Sequence, residues 1–418
     1  MRSKVSLVFY YKKGNRYGMN TLSGVLEINP EFEKSVRIFY PEEQKSLFKL
    51  LKEITSEKES KIFVLFSFFT LQKFEYYKIA KEIRAAYPEV LIIGGGPHPS
   101  GVPKETLLND FDFVFRGEAE KSFESFIYAV LNKRDFNEIK GISFVRSGDY
   151  FSGLKGEKIR LDDYPPFSLK YEKFGPIEIT RGCPYVCYYC QTPQLFGAKV
   201  RHRSIENILK YVEILKKRGM RDMRFISPNA LSYGSHDGKT INYDAIEKLL
   251  KEMRKLLKNN GRIFFGTFPS EIRPEHVNKQ TLELLRKYTD NKRLVIGAQT
   301  GSNTLLEKIH RGHRVEHVKN AVKRSLKYGY GIDVDFIFGL PEETERDISE
   351  SVEFMEELVN YGARIHAHTF MPLPQTPFYR KPAGKIPEKV KKFVNKYLPK
   401  GKIFGDWRKQ EEVAKLLN

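Results

Sequence analysis

Apolar residues in the first 140 positions follow two kinds of pattern. Continuous apolar runs of strand length cover residues 5–10, 62–69, 90–93 and 111–115. Between these runs, residues 41–54 and 74–87 carry apolar side chains three or four positions apart, which is the spacing of one helix face. Strands that alternate with helices favour a parallel sheet with right-handed crossovers. We therefore predict an N-terminal α/β domain over residues 1–140, with a doubly wound sheet of the Rossmann or flavodoxin kind.

The pattern changes over residues 141–175, which are polar and interrupted by glycine. Gly148, Gly153 and Gly156 lie in this stretch, and Pro165-Pro166 follows them. Glycine and proline in such clusters mark turns. We predict a small hairpin and a linker between two domains.

The alternation of strands and helices returns after residue 175 and repeats six times. The predicted strands are 177–180, 223–227, 263–268, 294–299, 332–338 and 364–370. The predicted helices between them are 205–218, 244–257, 281–288, 315–328 and 343–361. Because six units are too few for a closed eight-stranded barrel, we predict a partial (β/α)6 TIM-type barrel over residues 176–380, with functional groups on the loops after the strands. Residues 381–418 are a basic C-terminal extension, either a cap on the barrel or a loose tail.

The charge of the chain leaves two interpretations open. Its 418 residues include 72 Lys and Arg against 52 Asp and Glu, a formal net charge of +20. A partner such as nucleic acid would explain this charge. Acidic residues are interspersed throughout, so a Lys- and Glu-rich surface of the thermophile kind is the favoured interpretation.

No stretch of the sequence predicts a membrane anchor. The longest apolar run, residues 62–71, is about half the length of a membrane span, and the N-terminus shows no signal-peptide pattern. We expect a soluble, cytoplasmic protein with no membrane partner.

The chemistry that the sequence predicts is concentrated in one short stretch. All three cysteines, Cys183, Cys187 and Cys190, lie within eight residues, which argues against a disulfide scaffold and for a metal site. A cubane iron–sulfur cluster normally takes four thiolates, so three would leave one iron open to an outside ligand. A zinc ion with His202 as its fourth ligand is the alternative.

The run Cys183-Pro184-Tyr185-Val186-Cys187-Tyr188-Tyr189-Cys190 follows the first predicted barrel strand and resembles the cluster loop of the radical S-adenosylmethionine (SAM) enzymes. The resemblance implies a 4Fe-4S cluster on the three cysteines, with SAM on the open iron. It also implies that an electron from a donor such as ferredoxin or flavodoxin cleaves SAM to methionine and a 5′-deoxyadenosyl radical under anaerobic conditions. Tyr189 would help to frame the adenine.

Three later strand ends extend this resemblance. Gln299, in Gly297-Ala298-Gln299-Thr300-Gly301-Ser302, is expected to contact the ribose of SAM, although these residues would also suit a helix start. Phe338 and Gly339, before Leu340-Pro341-Glu342-Glu343-Thr344, are expected at the adenine. Ser227 and Asn229 are weaker candidates for the amino group of SAM, because this strand end has no carboxylate.

Histidines near these motifs have less certain roles. His310, His313 and His317 are expected to be surface or helix-cap residues and not metal ligands. His366 and His368 alternate on the sixth predicted strand and should point the same way. They would be substrate or SAM contacts, or else packed or solvent-linked histidines.

The N-terminal domain resembles the cobalamin-binding domain that precedes the barrel in a subset of radical SAM enzymes. The turn Gly94-Gly95-Gly96-Pro97-His98 and the run Arg116-Gly117-Glu118 carry this resemblance. The residues it places at cobalamin are Ser67, Thr70, Gly94, Gly95, Gly96, Gly117 and Glu118. The Asp-x-His-x-x-Gly motif that supplies an axial histidine elsewhere is absent, so a domain that has lost the cofactor stays open as an alternative.

The sequence thus predicts a radical SAM enzyme, with cobalamin-dependent methyl transfer to, or a related modification of, an unactivated carbon. One alternative is a cobalamin-free radical SAM enzyme that modifies tRNA or another anionic substrate. A non-enzymatic iron–sulfur or zinc regulator is an alternative of another class. Because the cluster would use all three cysteines, methylation through catalytic cysteines and a second cysteine-held cluster are both excluded.

Overall fold

The computed structural model describes residues 4–57 and 60–417 of the chain. These residues form two compact units that meet between Gly175 and Pro176. Residues 141–175, which the sequence analysis set apart as a linker, lie within the N-terminal unit. Every helix in the described ranges is too short or too polar to cross a lipid bilayer.

The N-terminal unit is built around one seven-stranded sheet. Its strands are β1 (Lys4–Phe9), β2 (Val36–Phe39), β3 (Ser60–Ser67), β4 (Leu91–Gly95), β5 (Phe113–Phe115), β6 (Ile142–Arg146) and β7 (Asp149–Ser152). Its helices are α1 (Arg16–Val25), α2 (Pro30–Ser35), α3 (Gln44–Ser56), α4 (Lys73–Ala86), α5 (Pro97–Gly101), α6 (Pro103–Leu107) and α7 (Glu120–Leu131).

The order of the strands confirms the predicted doubly wound sheet. It is β2-β1-β3-β4-β5-β6-β7, with β1 to β5 parallel and the hairpin of β6 and β7 antiparallel at one edge. The order 2-1-3-4-5 is that of flavodoxin-like sheets, which bind ligands at the carboxyl ends of the strands around the switch point between β1 and β3.

The central strands are continuously apolar because helices cover both faces of the sheet. On β1, Leu7 packs in one core cluster with Phe123 and Phe126 of α7, whereas Val8 packs in another with Leu47 of α3. The sequence analysis did not predict α1, α2, β2 or α7. Helix α1 contains two glycines and an asparagine, all poor helix formers, so its helical state depends on tertiary packing.

The C-terminal unit repeats strand and helix around an open barrel. Its strands are β8 (Ile177–Glu178), β9 (Thr180–Arg181), β10 (Arg201–His202), β11 (Asp222–Ile226), β12 (Arg262–Phe264), β13 (Arg293–Gln299), β14 (Gly331–Phe338), β15 (Arg364–Thr369) and β16 (Ile403–Phe404). Its helices are α8 (Thr192–Phe196), α9 (Ile205–Lys217), α10 (Tyr243–Leu257), α11 (Lys279–Tyr288), α12 (Asn303–Lys308), α13 (Val315–Lys327), α14 (Glu345–Tyr361), α15 (Glu388–Tyr397) and α16 (Trp407–Lys415).

The pairing of these strands confirms the predicted partial barrel. Strands β8, β11 and β12 form one parallel group, β13 to β16 form another, and a parallel bridge from Ile272 to Ile296 joins the two. The third barrel strand ends four residues earlier than predicted, before Gly266. This glycine has a φ of +75°, and a Cβ on it would lie 2.4 Å from the Ile272 side chain.

The C-terminal extension packs onto the barrel. Strand β16 continues the parallel sheet beyond β15, and Trp407 of α16 is buried. The Thr369 hydroxyl at the end of β15 donates a hydrogen bond to the Trp407 carbonyl at 2.8 Å. Of the two alternatives for this extension, the structure therefore supports the cap.

Charged side chains close the amino-terminal end of the barrel. Asp333 of β14 accepts hydrogen bonds from Arg293 of β13 at 2.7 Å and from Arg364 of β15 at 2.8 Å. Its carboxylate is largely buried, whereas both guanidiniums are about one-third exposed. The open volume of the barrel therefore lies above this layer, toward the carboxyl ends of the strands.

Removing this carboxylate should weaken the barrel. We expect Asp333→Ala to lower the free energy of unfolding by about 1–3 kcal/mol, because two arginines would lose a largely buried partner. Urea denaturation measures the effect. Asp222→Ala, which breaks an exposed pair with Arg262, is the matched control and should change stability little. Equal effects of the two substitutions would contradict a structural role for the Asp333 layer.

Candidate functional site

The three cysteines lie on one loop directly after β9. Cys187 is buried, and Cys183 and Cys190 are half-buried. The Cys190 amide donates to the Cys187 carbonyl at 3.0 Å, which folds the loop back on itself. All three thiols therefore lie within one short, folded loop.

The start of this loop requires a glycine. Gly182 has a φ of +93°, and a Cβ on it would lie 2.4 Å from the Lys199 carbonyl oxygen. The amide of Cys183 donates to the Gly197 carbonyl at 3.1 Å. These contacts fix the start of the loop against the segment that follows α8. The position of the Cys183 backbone is therefore fixed as well.

The surroundings of Cys183 and Cys190 do not favour nucleophilic thiolates. Burial raises the pKa of Cys183, and it raises the pKa of Cys190 to about 11. A nucleophilic thiolate needs the opposite shift. A bound metal displaces these protons, because thiolates are the ligating form.

A buried arginine stands next to the cysteine loop. Arg311 Nη1 donates to Cys187 Sγ at 3.8 Å, and Nη2 donates to the Gly297 carbonyl at 2.9 Å. Arg273 Nη2 donates to the Arg311 carbonyl at 2.7 Å and stacks on the Tyr185 ring. Among the residues that the structure describes, the buried Nε of Arg311 has no hydrogen-bond partner. Nothing in the sequence around Arg311 predicts its contact with a cysteine, so this residue could not be singled out from the sequence.

His202 does not fit the zinc alternative. Its Nε2 donates to the Ser235 carbonyl at 2.8 Å, so Nδ1 is the acceptor for the Thr180 hydroxyl at 2.9 Å. Burial lowers the pKa of His202. Both ring nitrogens are committed to the protein, and the three thiols are left without a fourth ligand from this histidine.

Gln299 ends β13 in a strained conformation beside Arg311. Its φ is +78°, which is rare for a residue other than glycine, and the pairing of β13 with β14 shifts register here. A Cβ on Gly297 would lie 2.5 Å from Arg311 Nη2, 2.7 Å from Gln299 Nε2 and 2.8 Å from Glu271 Oε2. Three polar side chains thus converge over Gly297, and only a glycine fits beneath them.

Glu271 is a site residue that the sequence analysis missed. It follows β12 and lies beside Arg311 and Gln299. Burial and the nearby charge of Asp335 raise the pKa of its carboxyl to about 7. The missed signal is an acidic residue in the loop after the third barrel strand, although Glu275 of the same loop gives the same signal.

The residues after Gln299 build the next helices. Ser302 caps α12 by accepting from the Leu305 amide at 3.4 Å. A Cβ on Gly301 would lie 2.7 Å from Cα of Ser351 in α14. The helix-start interpretation therefore holds for Gly301 and Ser302, while Gln299 stands apart from it.

Phe338 and Gly339 lie at the end of β14, where the chain turns. Phe338 is buried, and Gly339 has a φ of +69°. A Cβ on Gly339 would lie 2.6 Å from backbone atoms of Lys385, so the close approach that this glycine permits is that of residues 384–385. Tyr189 packs against the apolar cluster that contains Leu340 and Phe378. The structure thus brings the predicted adenine residues into one neighbourhood.

The acidic residues after Gly339 have distinct roles. Thr344 caps α14, which begins at Glu345. Glu343 accepts a hydrogen bond from the Gly339 amide, and burial raises its pKa to about 7. The predicted helix start therefore lies at Thr344, and Glu343 holds the turn instead.

Ser227 and Asn229 are buried, and their polar atoms are largely engaged. The Ser227 hydroxyl donates to the Asn229 carbonyl at 2.8 Å. The Asn229 side chain accepts from the Arg273 amide at 3.2 Å and pairs with His276 Nδ1 at 2.9 Å. These residues connect the second and third strand ends, which explains their burial without a ligand.

The three histidines near Arg311 differ from one another. His310 is exposed and stacks on Tyr188, with ring centroids 5.4 Å apart. His317 caps α13 by accepting from the Arg314 amide at 3.0 Å. His313 is buried, so its predicted place at the surface or at a helix cap was wrong. The helix it precedes begins two residues later, and the chain turns it inward.

In the N-terminal unit, four of the seven predicted residues border the carboxyl edge of the sheet. Ser67 ends β3 and is half-buried, as are Gly95 and Gly96 at the end of β4. Gly96 has a φ of +88°, and Gly117, after β5, has a φ of +73°. These residues surround the edge at which doubly wound sheets bind ligands.

The other three predicted residues are used for packing. A Cβ on Gly94 would lie 3.0 Å from the Phe111 ring. The Thr70 hydroxyl pairs with His98 Nδ1 at 3.1 Å. Glu118 is buried and accepts from the Ile159 amide at 3.2 Å. His98 is itself buried and holds the β4 turn, which removes it as a ligand at the edge.

Two family models match parts of the chain, one in each unit. The radical SAM superfamily matches residues 177–355, and the B12 binding domain matches residues 13–127. A Pyrococcus horikoshii protein named as an uncharacterized methyltransferase is 25% identical over 69% of this chain and 62% of its own. A tRNA-2-methylthio-N(6)-dimethylallyladenosine synthase of Treponema denticola is 28% identical over 59% of this chain and 51% of its own. The chain therefore spans less than two thirds of the length of these relatives.

Two solved structures share the fold. The radical SAM methyltransferase TsrM from Kitasatospora setae, with cobalamin and a [4Fe-4S] cluster, gives a TM-score of 0.70 at 17% identity, over 90% of this chain and 77% of that one. The cobalamin-dependent SAM radical enzyme OxsB gives a TM-score of 0.65 at 19% identity, over 85% of this chain and 52% of that one. The likeness covers both units, and at these identities it establishes the fold alone.

The strain at Gln299 can be measured directly. We expect Gln299→Gly to raise the free energy of unfolding by about 1 kcal/mol, because glycine adopts positive φ without steric cost. Gln299→Ala keeps the strained backbone and should show no such gain. Urea denaturation of both variants makes the comparison. A glycine variant no more stable than the alanine variant would show that the conformation is unstrained.

Proposed function

We propose that this protein, which belongs to the radical SAM superfamily and carries a B12-binding domain ahead of its radical SAM domain, cleaves SAM reductively and methylates, or otherwise modifies, an unactivated carbon with the help of cobalamin. The observation that carries the proposal is a loop with three free thiols within eight residues, beside which His202 is committed to other hydrogen bonds. Next to the loop lies the buried guanidinium of Arg311, whose Nε has no hydrogen-bond partner among the described residues.

The cysteine loop fits a 4Fe-4S cluster. Cys183, Cys187 and Cys190 would each bind one iron and leave the fourth open to SAM. When bound, the cluster supplies the electron that cleaves the sulfonium of SAM. Arg311 stays charged, because a guanidinium is not deprotonated in proteins, and it therefore keeps a cation beside the thiolates. This cation balances part of the negative charge that three thiolates bring.

The residues at the strand ends differ in how well they match the chemical groups of SAM. Gln299 offers a carbonyl and an amide toward ribose hydroxyls, and Tyr189, Phe338 and Gly339 surround the proposed adenine site. Ser227 and Asn229 are the weakest members, because their polar atoms are already engaged. Arg311 and Glu271 better match the charged carboxylate and ammonium of the methionyl end.

The edge of the N-terminal sheet fits cobalamin. A Cβ on Gly95 would meet nothing closer than 3.9 Å, so the surface above it is open to a bulky ligand. The half-buried Ser67 stands beside it at the end of β3. When bound, cobalamin supplies a carrier for the methyl group, and with His98 buried its lower face would be held without that histidine.

Reductive cleavage needs a low-potential electron donor, and we propose one of the ferredoxin or flavodoxin class in an anaerobic cytoplasm. A second candidate is a cobalamin-free radical SAM enzyme that acts on tRNA. The net charge of +20 and the tRNA-modifying relatives favour it. The three-cysteine count leaves no ligands for a second cysteine-held cluster, whichever substrate is modified.

SAM cleavage is the first test. After anaerobic reconstitution, we expect about four irons per chain and release of 5′-deoxyadenosine when dithionite and SAM are added. Cys187→Ala should lose both the iron chromophore and the product. His202→Gln is the control and should keep the iron, because His202 is hydrogen-bonded elsewhere. A Cys187→Ala protein with full iron content would refute the ligand assignment.

Corrinoid binding separates the two candidates. We expect hydroxocobalamin to copurify with the wild-type chain, and Gly95→Ala to weaken its binding at least about tenfold while leaving the melting temperature unchanged. Gly96→Ala should instead lower the melting temperature, because its Cβ would lie 2.8 Å from the Phe68 amide nitrogen at a φ of +88°. If no corrinoid stays bound to the wild type, the cobalamin-free tRNA enzyme is the better candidate.

A further inference from the structure

Two histidines and an aspartate lie together inside the barrel, between the charged floor and the strand ends. His366 and His368 share one face of β15, with ring centroids 4.2 Å apart. Asp335 lies directly opposite His366 on β14. Each of the three residues has one nitrogen or oxygen atom that could bind a ligand, and these three atoms lie within 4.8 Å of one another. Both histidines are half-buried, whereas Ile365 and Ala367, on the other face of β15, are fully buried, so the two histidines lie on the more accessible face of the strand.

The hydrogen bond of His366 fixes its acceptor nitrogen. Its Nδ1 lies 2.8 Å from Asp335 Oδ1. The arginines of the floor pair with Asp333, one layer below, so Asp335 acts as a carboxylate for His366. An ionised carboxylate only accepts, which places a proton on Nδ1, so the neutral form of His366 has its lone pair on Nε2. Phe404 stacks on the ring at 4.6 Å and holds its plane.

His368 has the opposite tautomer, with its proton on Nε2. The Thr369 amide donates to Gln410 Oε1 at 2.9 Å, so the amide nitrogen of Gln410 faces the ring. This nitrogen lies 3.3 Å from His368 Nδ1, which must therefore accept. The proton of a neutral His368 is then on Nε2. Gln410 of the C-terminal helix α16 thus determines which ring nitrogen of His368 carries the proton.

The opposite tautomers of His366 and His368 argue against a metal ion bound by both histidines. Two histidines and a carboxylate are a familiar metal-ligand set, but a ligating histidine donates its other nitrogen, whereas Nδ1 of His368 accepts. An acceptor nitrogen on one ring and a donor N–H on a neighbouring ring, with centroids 4.2 Å apart, suit a substrate O–H or N–H group instead. The acceptor takes the proton, and the donor stabilises the charge left behind.

We infer that His366 and His368 form the proton-transfer site for the substrate, and that the substrate carries a weakly acidic O–H or N–H next to the carbon that is modified. The O–H or N–H bond breaks heterolytically, and its electron pair stays on the substrate. The proton goes to His366 Nε2, and the resulting imidazolium is held by Asp335. His368 Nε2–H donates to the substrate anion, and nothing is oxidised or reduced in this step.

A phenol, an enol or a heteroaromatic N–H is the chemical class that fits. Loss of its proton raises the electron density on the neighbouring carbon, which prepares that carbon for alkylation. The inference rests on the proposed function only for the later fate of this carbon. His366 would be the catalytic residue, and Asp335 and Gln410 would be positioning residues.

The charges around the pair agree with these roles. Burial lowers the pKa of His366, but the hydrogen bond and charge of Asp335 outweigh it, with smaller contributions from Asp333 and Glu271, and the net shift is upward. Burial and His366 lower the pKa of His368 to about 4, against the weaker opposite effects of Asp335 and Asp406. At neutral pH, His368 is therefore neutral and able to donate from Nε2 only.

Binding of a small phenol tests the site on the full chain without turnover. We use 2,6-difluorophenol as the probe, because its 19F chemical shift reports its ionisation and is independent of cluster absorbance. We expect the wild-type chain to bind the probe as the anion at a pH where the free phenol is neutral. His366→Gln should weaken binding about tenfold or more and leave the bound fraction neutral. His236→Gln, at an exposed histidine, is the control and should match the wild type.

Nitrogen NMR of 15N-histidine-labelled protein tests the two tautomers independently. We expect Nδ1–H on His366 and Nε2–H on His368. Gln410→Glu should reverse His368, because a carboxylate accepts from Nδ1, and should weaken phenolate binding while Asp335 still holds His366.

Three outcomes would overturn the inference: a neutral bound phenol in the wild type, a His366→Gln variant that binds like the wild type, or phenol binding that requires added Zn²⁺. A requirement for Zn²⁺ would show that Asp335, His366 and His368 bind a metal ion. None of these measurements depends on SAM cleavage, so a chain that fails to release 5′-deoxyadenosine would refute the proposed function separately.

Discussion

A buried guanidinium beside the cysteine loop is the constraint on which the rest of the barrel site depends. A charge removed from water is strongly destabilising unless it is paired, and Arg311 is buried. Its partners are the Cys187 sulfur, the Gly297 carbonyl and the nearby Glu271. Each of these belongs to a different part of the chain. The cysteine loop, the end of β13 and the loop after β12 are therefore held together by one cation.

This constraint also explains the strained backbone of β13. Arg311, Gln299 and Glu271 all reach the space above Gly297, and that space exists because Gly297 has no side chain. The register shift and the positive φ of Gln299 turn its amide into the same region. Strain of this kind persists only where the surroundings fix it, and it is common where a ligand is bound. The polar groups that converge here match the charged and polar parts of SAM.

Two aspartates of β14, Asp333 and Asp335, lie in successive layers of the barrel and have different partners. At the floor, Asp333 is neutralised by two arginines and contributes to stability. One layer higher, Asp335 has a histidine in place of arginines, so the layer can gain or lose a proton. The same residue type thus serves packing in one layer and chemistry in the next. The difference comes from the partner that the neighbouring strand supplies.

Glycines in the N-terminal unit show the same separation of roles. Gly94 and Gly96 are required by the protein itself, because a Cβ on either would approach neighbouring atoms to 3.0 Å or less. Gly95 meets no such neighbour. In a run of three identical residues, therefore, only the middle one is free to serve a ligand.

Local patterns in the sequence predict the class of both units and the position of the cysteine loop. Continuous apolar runs predict strands covered on both faces, and three cysteines in eight residues predict a metal site, because both signals are local. Strands β1, β3, β4 and β5 and the six barrel strands were predictable for this reason. Helix α1, with its glycines, and the four-residue β2 were not, since only tertiary packing stabilises them.

Only the tertiary structure decided which polar residues share a site. Arg311, Glu271 and Gln410 come from separate loops and from the C-terminal helix, and no spacing in the sequence connects them to Cys187, Gln299 or His368. The fold also reassigned residues that the motifs singled out: Thr70, Glu118 and Gly94 pack, and His202 bonds to the protein. A motif fixes which atoms are available, whereas burial and hydrogen-bond partners fix which of them remain available to a ligand.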